Sequence, residues 1–183
     1  STYRVDAYQD IDEEEKLIMT STSSFHTEEE SQSYQDKMPF VTSPEDCSLA
    51  GYTTPGSKSR VREPIDFRWP ERPPSSISPS KPRQLTWFKS KDHLPDEPIM
   101  HACALAYISD LTLTRTAQMP LKNPNSKQFG ASLDHCMYFQ RQFRADEWIL
   151  FEQEACSYSG SRSITSGRIF TQEGLLAVSV RQE

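Results

Sequence analysis

Residues 2–9, TYRVDAYQ, alternate: Tyr3, Val5 and Ala7 point one way, Arg4, Asp6 and Tyr8 the other. A period of two predicts a strand. The acidic turn DIDEEE follows, then KLIMTSTSSF, rich in apolar and β-branched residues up to Phe25. Residues 1–27 therefore read as a two-strand hairpin, which is marginal alone in water and needs a surface to lie on. From 28 to 63 no period is visible, and the stretch reads as a Pro- and Ser-rich linker. A main domain is expected over 64–183. It starts with a short strand in PIDFRW (64–69), and a better one follows in RQLTWFKS (83–90), with Leu85 and Trp87 on one face.

The pattern then changes. Asp96 is placed as an N-cap and Pro98 suits the first turn, where its missing N–H costs nothing. A helix is predicted from there to about Leu111. At 100° per residue Ile99, Ala102, Cys103 and Ala106 share a face, and Asp110 returns to it. That stripe is taken as the buried one, which makes Asp110 an acid on a core face near a helix end. The macrodipole disfavours an acid at that end, so some other reason to keep it is expected. After a loop, strands are predicted at about 131–142, 147–158, 161–172 and 175–182, with TQEG as the last tight turn. Trp148, Ile149, Leu150 and Phe151 are expected in the core. The layout is α+β: one central helix against one curved antiparallel sheet.

Composition narrows the function classes. Nine of the thirteen prolines fall between Pro39 and Pro82, so a long irregular stretch sits beside a conventional core. A net charge of −6 with no basic stripe argues against nucleic-acid binding. The cysteines Cys47, Cys103, Cys136 and Cys156 form no CxxC and share no ligand spacing with the histidines. They read as reduced thiols of an intracellular protein without a zinc site. No apolar run approaches the roughly 20 residues that span a bilayer, and no signal peptide is visible. The chain starts and stops in strand-like sequence, so both ends read as cut. The Glu runs 13–15 and 28–30 are expected to be solvated.

Three segments carry a resemblance: AYISDLTL, ASLDHCMYFQRQFRADEWILFE and GRIFTQEGLLAVSVRQE. In order and spacing they resemble the C-terminal half of the acyl-CoA thioesterase II family, the TesB-like double hotdog thioesterases. The likeness is strong over 99–183 and weaker over 1–27 and PIDFRW. It implies a hotdog fold, a sheet wrapped around a long helix, with the hairpin as the end of a largely missing first hotdog. It implies hydrolysis of acyl-CoA to fatty acid and coenzyme A. It also implies a catalytic trio that holds a water: Asp110 from the SDL motif, Ser132 from SLDH and Gln182 from SVRQE.

The chemistry is coherent by itself. A thioester needs an activated water, a base and donors for the oxyanion. Asp110 can be the base, with Ser132 and Gln182 fixing the water. No cofactor or metal is needed, and no G-x-S-x-G elbow offers a covalent route. Arg162 and Arg168 are candidates for the coenzyme A phosphates. Ser132 and Asp134 would share a strand face and His135 would point to the other. Asp134 and His135 are therefore assigned structural roles, tying the sheet to the helix layer or to a partner hotdog. The same alternation counts against a hotdog hydratase or dehydratase, in which Asp and His must converge. Two readings stay open: an active thioesterase, or a non-catalytic truncated hotdog that binds a partner or acyl-CoA. Either way a homo-oligomer or pairing with another hotdog is expected, in a peroxisomal or cytoplasmic setting.

Overall fold

Asp12 and Glu13 both hold positive φ, 54° and 65°. This is the geometry of the two-residue turn that matches strand twist. They join β1 (Thr2–Ile11) to β2 (Glu14–Ser24) in an antiparallel pair. The computed structural model describes residues 1–47, 49–50, 64–70, 82–121 and 130–183. The parts of the expected linker at 48 and 51–63 lie outside the described residues. The hairpin belongs to a compact unit, Ser1–Tyr34, and it exposes Tyr3, Val5, Leu17, Ile18, Met19 and Phe25.

The second unit, Gln35–Glu183, holds the remaining elements. These are β3 (Leu49–Ala50), β4 (Ile65–Arg68), β5 (Arg83–Ser90), α1 (Pro98–Gln118), β6 (His135–Phe139), β7 (Ile149–Ser159), β8 (Arg162–Thr171) and β9 (Leu176–Gln182). The strands form one antiparallel sheet in the order β3-β4-β5-β7-β8-β9-β6. Gly174, at φ 89°, closes the β8–β9 turn in a conformation that a side chain would resist.

Alternation along β5 and β7 gives the sheet two apolar faces. Phe88, Ile149 and Phe151 join Ile169, Val178 and Val180 in a core with Leu105, Ile108 and Leu113 of α1. Leu85, Trp87, Trp148, Leu150, Phe170 and Leu176 form the other face, covered by Met38, Val41 and Cys47. Residues 35–47, expected within the linker, are therefore a strap on the sheet. Trp87 Nε1 donates to the Thr42 carbonyl (2.9 Å) and Gln35 Nε2 to that of Gly174 (2.8 Å). Cys47 is half-buried there, and burial pushes its thiol pKa up.

Three helix expectations are corrected. The N-cap is Glu97, while Asp96 accepts from Arg144 Nη1 at 2.5 Å. The helix runs to Gln118, so Asp110 is interior to it and the dipole argument for an acid at its end lapses. The buried stripe is His101, Leu105, Ile108, Ser109, Thr112, Leu113, Thr116 and Ala117. Ile99, Cys103, Ala106 and Asp110 lie exposed on the other side. The core stripe carries a histidine, a serine and two threonines, whose polarity hides the period. The two threonines are satisfied across the core: Thr116 Oγ1 donates to Gln153 Oε1 (2.8 Å) and Gln153 Nε2 to Thr112 Oγ1 (2.5 Å).

Asp146 pins the start of the helix to the β6–β7 loop. Its side chain is 6 % exposed and accepts from Arg144 Nε and Nη2, both at 3.0 Å, and from the Leu94 N–H at 2.9 Å. The Arg144 bonds, then the Leu94 amide, hold its carboxyl far below the usual range although burial opposes them. A folded-state pKa below the unfolded one means stability that is complete above the ordinary carboxylate value and lost as pH falls past it. Asp146→Asn is expected to cost about 1–2 kcal/mol at neutral pH. It should also flatten the loss of stability below about pH 4. Urea titrations of both proteins from pH 7 to 3 check this; parallel profiles would exclude it.

Candidate functional site

The site sits where the middle of α1, the segment leading into β6 and the end of β9 meet. α1 brings Asp110 on its exposed side and Ser109, fully buried, one residue before. β9 brings Gln182, 4 % exposed, which faces the helix because Val178 and Val180 do. Ser132 Oγ donates to Asp110 Oδ1 at 3.2 Å, and Gln182 Nε2 donates to Ser132 Oγ at 2.7 Å. The structure thus brings the three expected residues together in one hydrogen-bonded chain. Asp110 Oδ2 has no partner among the described residues.

The expected strand over 131–142 is shorter, beginning at His135, and this changes the neighbours' geometry. Ser132, Leu133 and Asp134 precede the ladder, so face alternation does not govern them. His135 pairs with Gln182 across the ladder and turns towards the helix. Its Nδ1 lies 2.5 Å from Gln182 Oε1 and its Nε2 lies 2.9 Å from Ser109 Oγ. His135 and Ser132 therefore converge on the two ends of one carboxamide, instead of being separated by the sheet. Asp134 turns away and its Oδ1 accepts the Glu183 N–H at 3.0 Å, while Leu133 N–H donates to the Glu183 carbonyl at 2.8 Å. With Asp134 and His135 engaged on different partners, no acid–base dyad forms.

A groove of about 300 Å3 opens beside this chain. Leu113 and Ala117 of α1, Leu133, Tyr158, Ser132 and Gln182 help to line it, and Arg162 stands at its wall. Arg162 is exposed and pairs with Glu183 at 3.4 Å. Arg168 lies elsewhere. It neighbours Gly167 and Ile169, which face the helix, so it points to the opposite face. There it pairs with Glu152 (2.7 Å) and Asp36 (2.5 Å), away from the groove. Asp110 lies on the open side of the helix, exposed.

Two residues escaped the sequence reading: Ser109, and His135 as part of the site. The usable signal was the spacing Leu105, Ile108, Ser109, Thr112, Leu113, Thr116. It places Ser109 on the sheet side and Asp110 at its border.

The family model described as acyl-CoA thioesterase matches residues 66–183. Human acyl-coenzyme A thioesterase 8 is 38 % identical over 112 residues, covering 61 % of this chain and 35 % of that protein. Acyl-CoA thioesterase 2 of Haemophilus influenzae is 29 % identical, covering 88 % of this chain and 61 % of that one. The chain thus spans about a third of the human relative's length. Among solved structures, the acyl-CoA thioesterase II TesB2 of Mycobacterium marinum superposes with a TM-score of 0.79 at 40 % identity, over 99 % of this chain and 66 % of that one. A protein described as having a hot dog fold, from Alicyclobacillus acidocaldarius, matches at TM-score 0.69 and 20 % identity, over 100 % of this chain and 66 % of that one, a likeness of fold. The sheet and helix described within Gln35–Glu183 are accordingly a hotdog. No helix among the described residues is long and apolar enough to cross a membrane.

Proposed function

The chain belongs to the acyl-CoA thioesterase family, and on that premise we propose that it hydrolyses acyl-CoA thioesters with Asp110, Ser132 and Gln182 as the catalytic group. The observation that carries this is the Asp110–Ser132–Gln182 hydrogen-bond chain, drawn from three separate parts of the fold, with Ser132 and Gln182 lining a groove. A water beside Asp110 Oδ2 attacks the thioester carbonyl carbon and gives its proton to the carboxylate. Ser132 holds the other carboxylate oxygen. The second N–H of Gln182 Nε2 is available to the water or the developing oxyanion. Collapse of the tetrahedral species breaks the C–S bond. The coenzyme A thiolate leaves and takes up the proton, and the fatty acid remains. The apolar lining from Leu113, Ala117 and Leu133 suits the acyl chain, and Arg162 suits a phosphate of coenzyme A.

The open helix side around Ile99, Cys103, Tyr107 and Asp110 favours a second reading. There a further hotdog from a different subunit packs on this side and completes the site, and this chain by itself, as monomer or homo-oligomer, binds acyl-CoA without turnover. The apolar residues exposed on the hairpin support such pairing.

Free-thiol release from a long-chain acyl-CoA, measured with the mass of the chain in solution, separates the two. Turnover by a species larger than the monomer is the expected result. Acyl-CoA binding without thiol release at any concentration supports the second reading and overturns the first for this chain.

A further inference from the structure

We propose that His135 is a positioning residue that holds the Gln182 carboxamide in the orientation the Asp110–Ser132 pair requires, by presenting a protonated Nδ1 to Gln182 Oε1 while the Ser109 hydroxyl donates to Nε2. A carboxamide has one acceptor end and one donor end of nearly equal shape, so its contacts alone decide its orientation. The Asp110 carboxylate, as an ionised base, can only accept. Ser132 at 3.2 Å must therefore spend its single proton on Asp110 Oδ1. Its oxygen is left as an acceptor, so the atom 2.7 Å away must be the nitrogen of Gln182. That turns Gln182 Oε1 towards His135 Nδ1, 2.5 Å distant, which must then carry a proton. In the neutral ring Nε2 is consequently the acceptor. The group facing it at 2.9 Å is the buried Ser109 hydroxyl, a donor. Every role is fixed in turn from the carboxylate outwards.

The other tautomer breaks the chain. With the proton on Nε2, that nitrogen donates to Ser109, whose own proton turns to the Ala106 carbonyl at 3.0 Å. The bare Nδ1 then attracts the Gln182 nitrogen and the carboxamide turns over. Ser132 now faces a carbonyl oxygen, donates to it and releases Asp110. The donor proposed to meet the water or oxyanion is lost as well. His135 acts through Gln182 and needs no contact with substrate.

The catalytic consequence rests on the thioesterase reading; the tautomer does not, so two measurements are paired. The first is the 15N spectrum of the His135 imidazole in the intact chain, assigned by its disappearance in His135→Asn. Protonated Nδ1 and unprotonated Nε2 are expected; an Nε2–H ring overturns the proposal. The second compares His135→Asn, which returns an N–H near the place of Nδ1, with His135→Leu, which returns none. His135→Leu is expected to lower kcat roughly 10–100-fold with little change in KM, as misplacement of a reacting group does. His135→Asn is expected to restore most of that loss. Equal loss in both variants, or none in His135→Leu, overturns the proposal. Should His135→Leu fail to fold, the spectrum and the His135→Asn kinetics still decide. A wild-type chain without turnover sinks the thioesterase reading, yet the spectrum still settles which nitrogen bears the proton.

Discussion

Asp110→Asn is expected to lower kcat for long-chain acyl-CoA hydrolysis by about 10²–10⁴-fold, the range for losing a general base. The substitution removes one charge and little else. Asparagine keeps an oxygen for the Ser132 hydroxyl, so the chain through Gln182 can persist. Asp110 is exposed and interior to α1, where such a change usually shifts stability by within about 0.5 kcal/mol. An unchanged melting curve with lost turnover is therefore the expected signature. KM should move little, because the base acts on the water and not on the bound thioester. Free-thiol release read beside a thermal melt measures both quantities. A variant that keeps more than half of wild-type kcat would remove Asp110 from the role of base.

Gly167→Val should be the most damaging single change to the fold. Gly167 lies on β8, opposite Gln153 of β7 and Val180 of β9, with its missing side chain directed at the core. A Cβ placed there would collide with Phe151 Cε2, lie 3.0 Å from Cζ of the same ring and 3.3 Å from the Glu152 carbonyl oxygen. Phe151 has nowhere to retreat. It is 1 % exposed and sits edge-on to Phe88, with ring centroids 6.2 Å apart. Valine adds two further methyls to a site that rejects the first carbon. The cost should reach the upper end of overpacking, about 3 kcal/mol or more. In a domain of this size that is roughly 6–12 °C in Tm. A thermal melt within a degree of wild type would show that the β7–β8 face has slack where close approach is required.

The sequence made most of the strand ladder legible because runs of apolar and β-branched residues, bounded by turn residues, mark the strands. Leu85 and Trp87 fall on one face and Ile149 and Phe151 on the other, as their spacing requires. The helix was legible as an element and misread as a surface. Its core stripe is interrupted by His101, Ser109, Thr112 and Thr116, and a hydrophobicity pattern cannot score side chains satisfied by partners distant in sequence. The alanines and Cys103 then made the wrong side look buried. Ser132 and Gln182 were reached through a likeness to a family, and no local pattern distinguished them from ordinary strand residues. His135 was misplaced by a rule applied outside its range. Strict alternation holds within a ladder, and the ladder starts at His135 itself.

The order of the sheet has a bearing on how sharply the site is defined. β9, the last strand in sequence, is an inner strand flanked by β8 and β6. Gln182 stands opposite Thr165 on one side and His135 on the other, with Leu133 and Asp134 gripping the residue after it. Fraying, the ordinary fate of a strand's final rung, is thereby suppressed from both flanks. A carboxamide that must aim at a water to within a fraction of an ångström is seated on backbone that cannot peel away alone, because releasing it means opening two ladders at once.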